Sequence, residues 1–110
     1  MTPQEIADSY FGSIRAKDID GLMMLYAQNA TFTLPNGKSI AGKAAIRQMH
    51  LSVFSAGSPM PTPLAMISSD TAIAVEIEAR LADGTVRRTA NFYHLDGNGS
   101  IERLSVYMRG

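Results

Sequence analysis

The sequence predicts an α+β fold: three N-terminal helices packed on one face of a strongly curved, mainly antiparallel sheet. Three observations predict it. Apolar residues recur at helical spacing through about residue 55, and beyond residue 64 their period becomes two. The later segments are divided by Ser69-Asp70, Asp83-Gly84 and Asp96-Gly97-Asn98-Gly99, which is the chemistry of tight turns. Helices followed by a meander pack as two layers, with the helices segregated to one side of the sheet.

The first helix opens with Thr2 as its cap, Pro3 in its first position and Glu5 completing a Thr-x-x-Glu capping box. Ile6, Tyr10, Phe11 and Ile14 then fall on one face. Asp18 caps a second, shorter helix on which Leu22, Leu25 and Tyr26 share a side. Thr31-Phe32-Thr33-Leu34 reads as a short strand closed by Pro35-Asn36-Gly37. A third helix runs from about Gly42 to Ser55, with Gly57 as its stop. Its apolar stripe is Ile46, Met49, Val53 and Phe54, and His50 sits inside that stripe.

The segment from Ser58 to Pro63 holds three prolines and reads as a loop, because proline lacks the backbone donor of a strand or helix. Strands follow at Leu64–Ser68, Thr71–Leu81, Val86–Leu95 and Ser100–Met108. No repeat, low-complexity tract or linker interrupts the chain, so residues 1–110 read as one domain. A twisted sheet of this size presents a concave face that three helices do not fill. The space between the layers is the default place for a ligand.

Composition narrows the function. Ten basic and ten acidic residues cancel, which argues against the basic stripe of a nucleic-acid binder and against a polybasic membrane anchor. With no cysteine, disulfides and thiolate zinc sites are excluded. No apolar run approaches the ~20 residues of a membrane span, and the amino terminus has no secretory pattern, so a cytoplasmic location is expected. No histidine–carboxylate spacing resembles a metal site, and phosphate-loop, dinucleotide and nucleophile-elbow signatures are absent. No metal or cofactor is expected.

The run from Lys17 to Phe32, Lys-Asp-Ile-Asp-Gly-Leu-Met-Met-Leu-Tyr-Ala-Gln-Asn-Ala-Thr-Phe, resembles a signature of the NTF2-like superfamily, in particular its SnoaL-like and ketosteroid-isomerase-like branch. Pro35-Asn36-Gly37, the helix start Gly42-Lys43-Ala44-Ala45-Ile46-Arg47 and the hairpin from Phe92 to Ile101 are similar to further pieces of that branch, in the same order. The resemblance implies a cone-shaped, cystatin-like fold with an internal pocket, and a homodimer formed through the outer face of the sheet. It also implies roles. Tyr10 matches the tyrosine that donates to a developing enolate oxygen, and Tyr26 matches a member of the network supporting it. His50 stands one residue from the position of a third aromatic hydroxyl, and Asn91 replaces the protonated aspartate that is the second oxyanion donor. Leu34 occupies the place of the aspartate base. Fold alone does not transmit function in so varied a superfamily.

Tyr10, Tyr26 and His50 lie on apolar faces by periodicity alone, so they form either a donor cluster facing a pocket or a structural network within the core. On the sheet, Arg87, Thr89 and Asn91 share one face of a strand and Arg88, Ala90 and Phe92 the other. The resemblance turns the first set inward. The neighbouring strand alternates Val75, Ile77, Ala79 and Leu81 with Glu76, Glu78 and Arg80. If the acidic set faces inward, Glu76 or Glu78 replaces the missing base; if outward, it forms a solvated face paired with arginines. His94, late in a strand beside a turn, reads as exposed.

Met49, Met60, Met66 and Met108 would give a pliable lining, and Phe32, Leu34, Phe54 and Met108 apolar walls. The expected function is therefore binding of a small, mainly apolar molecule bearing a carbonyl or hydroxyl. Its chemistry would be proton transfer next to that carbonyl, as in an isomerase, or a related cyclisation or dehydration. The alternative is a non-catalytic dimeric module that binds a ligand or a partner.

Overall fold

A computed structural model describes residues 1–57 and 60–109. Three helices, α1 (Pro3–Ala16), α2 (Ile19–Met23) and α3 (Lys43–Ser55), pack on a curved sheet of six strands. The strands are β1 (Tyr26–Thr33), β2 (Ser39–Ala41), β3 (Met60–Ser68), β4 (Ala72–Arg80), β5 (Val86–Leu95) and β6 (Ile101–Arg109), in the order β2-β1-β6-β5-β4-β3. All pairings are antiparallel except β1 with β6.

Helix α1 starts as its sequence requires. Thr2 Oγ1 accepts from the Glu5 N–H at 3.2 Å, while Glu5 Oε1 accepts from the Thr2 N–H at 2.8 Å. Such a cap is worth about 1 kcal/mol. Ile6, Ala7, Tyr10, Phe11 and Ile14 are its buried face. Asp18 caps α2 through the Gly21 N–H at 3.0 Å. Gly42 opens α3 at φ +90°, a left-handed conformation that disfavours any residue with a Cβ, and its N–H donates to the Ala30 carbonyl at 2.8 Å. That bond ties the start of α3 to β1 and fixes which side of the helix meets the sheet.

Three elements differ from the sequence reading. Tyr26 does not continue α2; the helix ends at Met23 and Tyr26 is the first residue of β1. The β1–β6 register slips between Tyr26 and Thr31, so Tyr26, Ala30 and Phe32 are all buried. The short strand β2 lies in a segment with too little apolar periodicity to announce it.

The proline segment is the third difference. Ser58 and Pro59 fall outside the described residues, yet Met60–Pro63 belongs to β3. Strand β3 is the sheet edge and pairs only with β4, so a missing N–H on its free side breaks no ladder. Arg15 of α1 donates from Nε and Nη2 to the Pro61 carbonyl, at 3.1 and 2.7 Å, and ties the helix to that edge.

The sheet's two faces are now fixed. Ile73, Val75, Ile77 and Ala79 of β4 are buried toward the helices, in register with Tyr93, Asn91, Thr89 and Arg87 of β5. Glu76 and Glu78 therefore lie on the outer face, and Glu78 pairs with Arg88 at 3.0 Å. Burying two bare carboxylates against an apolar layer would cost several kcal/mol each, whereas Val75 and Ile77 gain from that burial. His94 shares the outer face and is half-buried rather than exposed.

Candidate functional site

A partly open cavity of ≈ 220 Å³ lies between the helices and the inner face of the sheet. Helix α1 contributes Tyr10, Phe11 and Ile14, and α3 contributes Met49, His50 and Val53. Leu34 and Pro35, just beyond β1, join Phe32 on one side; Ile77, Ala79, Thr89, Asn91 and Val106 form the floor. Pro61 of the edge strand completes the wall. Among the described residues, none lining the cavity is a carboxylate, lysine or arginine.

The polar groups gather at one end. The Tyr26 hydroxyl is 3.0 Å from Nε2 of His50, and Asn91 Nδ2 donates to the Tyr93 hydroxyl at 2.9 Å. The Tyr10 ring sits between these pairs, with ring centres 5.2 Å from Tyr93, 6.2 Å from His50 and 6.3 Å from Tyr26, all edge-to-face. Edge-to-face packing of this kind fixes ring orientation as well as adding to burial.

Burial sets the charge states. It pushes the Tyr10 phenol up to about 12, with the neighbouring Tyr26 hydroxyl offsetting part of the rise. Burial also holds Tyr26 and Tyr93 well above the usual phenol range and pushes His50 down to about 4. At neutral pH all four groups are uncharged, so the phenols remain donors and His50 is an unprotonated imidazole. Asn91 donates through its amide with no ionisation involved.

The structure brings Tyr10, His50, Asn91, Phe32 and Leu34 into one cavity wall. Five other candidates stand elsewhere. Tyr26 is buried behind His50 as its hydrogen-bond partner, and Phe54 packs 6.3 Å from the His50 ring within the core; neither lines the cavity. Met108 lies exposed at the end of β6, beyond Val106. Glu76 and Glu78 are on the opposite face of the sheet, so neither reaches the cavity. Of the methionines, Met49 lines the wall, Met66 packs against the core and Met60 is exposed.

Tyr93 is the residue that sequence reasoning missed. It is fully buried and holds the Asn91 side chain in place. Its position two residues after Asn91 on the same strand face was the available signal.

The model of the SnoaL-like domain matches residues 7–104. The fold is similar to a proposed ketosteroid isomerase from Kribbella flavida DSM 17836, with TM-score 0.87 and 18% identity over 96% of this chain and 76% of that one. It is similar to a proposed polyketide cyclase from Sinorhizobium meliloti, with TM-score 0.84 and 21% identity over 93% of each chain. It is also similar to a Mycobacterium tuberculosis protein crystallised with estradiol-17β-hemisuccinate, with TM-score 0.81 and 21% identity over 99% of this chain and 95% of that one. At these identities the structural likeness concerns the fold. No protein of curated function matches the sequence at a significant level. On the match across residues 7–104, the chain belongs to the SnoaL-like domain family.

Proposed function

We propose that this protein binds a small, mainly apolar molecule with a carbonyl or hydroxyl oxygen, taken into the cavity with that oxygen at the Tyr10–His50–Asn91 end. The observation that carries the reading is the convergence of a neutral phenol, a neutral imidazole and an amide on one cavity whose other lining residues, Thr89 apart, are apolar. A charged ligand body would lose its hydration there with no counter-charge in the wall. An oxygen at the polar end gains a donor, while Phe32, Leu34, Ile77 and Val106 cover the apolar part. The Mycobacterium tuberculosis neighbour's steroid ligand has this character.

Classical enone isomerisation needs a carboxylate to carry the proton, and Leu34 stands at its place. Proton transfer next to a ligand carbonyl would fall to His50, the titratable nitrogen in the wall. With its pKa pushed down to about 4, His50 is a weak base at neutral pH. That favours binding over fast catalysis.

The protein also works as a homodimer in this reading. Phe92 and Tyr107 stack edge-to-face at 5.5 Å on the outer face, with Ile67 exposed on the same side. A second copy's sheet is the natural cover for such a patch.

Titration with estradiol as a neutral probe tests the cavity. Saturable binding is expected, weakened about tenfold by Tyr10→Phe and abolished by Ala79→Trp, which fills the cavity. Binding that survives Ala79→Trp in a folded variant would place the probe elsewhere and refute the reading.

A further inference from the structure

Arg87 lies on the helix-facing side of β5, opposite Ala79, two residues before Thr89 and four before Asn91. Alternate residues of a strand share a face, so these three form one row, ~13 Å long at about 3.3 Å per residue. Asn91 and Thr89 line the cavity; Arg87 stands exposed just past its rim.

Among the described residues, its charge has no ion-pair partner. Nη1 of Arg87 lies 3.9 Å from the Met108 sulfur, and a thioether is a weak acceptor. Asp83 is close enough to feel Arg87, but it is fully exposed and accepts from the Thr85 N–H at 2.8 Å. The adjacent Arg88 points to the other face and pairs with Glu78. Arg15, the other cation beside the cavity, is committed to the Pro61 carbonyl. Among the described residues, Arg87 has no carboxylate within ion-pairing distance.

Resting on the cavity reading above, we propose that Arg87 is a specificity residue and that the natural ligand is an amphiphilic carboxylate. The uncharged apolar body enters the cavity, and its acidic tail stays at the rim on the Arg87 guanidinium. The wall rejects a charge inside, while the rim supplies a cation whose planar fork suits a carboxylate. The distance along the row suits a fused-ring body with a short acidic tail.

The test compares estradiol with estradiol-17β-hemisuccinate on the full chain, as wild type, Arg87→Gln and Arg15→Gln. At low salt the hemisuccinate should bind wild type about three- to fivefold tighter than estradiol, the range of an exposed ion pair. That advantage should vanish in Arg87→Gln and at ~1 M salt, and persist in Arg15→Gln. Estradiol affinity should not change in Arg87→Gln. Equal binding of the two ligands to wild type, an advantage kept in Arg87→Gln, or one lost only in Arg15→Gln overturns the assignment and leaves the cavity reading intact. Failure of both ligands to bind overturns both.

Discussion

The Tyr26 hydroxyl lies 3.0 Å from Nε2 of His50, so a phenol at the start of β1 holds an imidazole from the middle of α3. Both side chains are buried, and each satisfies the other in a place that water does not reach freely. A net hydrogen bond contributes about 1 kcal/mol, but an orphaned partner would cost about 1–3 kcal/mol. The pair therefore locks the helix to the strand.

Acid should weaken this fold through His50. Its folded pKa is about 4 against 6.5 for the free side chain, so between those values the unfolded chain binds a proton that the native protein refuses. Stability is then full above pH 6.5, falls as pH drops toward 4 and levels off below, a loss approaching about 3 kcal/mol. Urea unfolding of wild type and His50→Gln at pH 7.5, 5.5 and 4.5 checks it. The variant should be less stable at pH 7.5 yet lose less on acidification; parallel curves would assign the acid sensitivity to other groups.

Leu34→Asp should place a carboxylate in the cavity wall, because Leu34 already lines it. A β,γ-unsaturated ketosteroid should then be converted to its conjugated isomer, seen as new ultraviolet absorbance. Adding Tyr10→Phe should remove most of the gain, about 10²-fold, if the phenol serves the developing oxyanion. A folded Leu34→Asp with no activity would show that Tyr10 is not aimed at the substrate oxygen.

Removing the outer-face acids should leave ligand binding alone. Glu76→Gln and Glu78→Gln are expected to keep estradiol affinity within twofold of wild type. The half-exposed Glu78–Arg88 pair should contribute no more than about 0.5 kcal/mol to stability. A tenfold loss of binding in either variant would contradict the strand orientation described above.

With the homodimer proposed above, Phe92→Glu should leave the protein monomeric. The substitution puts a charge beside Tyr107, within the exposed aromatic pair of the outer face. Sedimentation velocity at micromolar concentration distinguishes the species. A wild-type protein that sediments as a monomer would remove the proposed interface.

Much was determined by the chain itself. The capping box at Thr2 and Glu5, the apolar stripe of α1, the placement of His50 within the stripe of α3 and the three glycine- or aspartate-rich turns all appear where their local chemistry puts them. Each depends on neighbours a few residues away. Period two likewise sorted Glu76 and Glu78 from Val75 and Ile77, and Arg88 from Asn91.

Which set faced the helices was decided only by tertiary structure, because alternation is symmetric until one face is covered. The same holds for Met60–Pro63, whose prolines are tolerated because β3 is last in the sheet, a fact of strand order. It holds for Tyr26, pulled from a helix-compatible pattern into β1 by the Leu25 carbonyl, which accepts from the Ile101 N–H at 2.8 Å. Local sequence sets backbone preference and side-chain alternation. Burial is a property of what packs on top, and it chose which residues meet in the cavity.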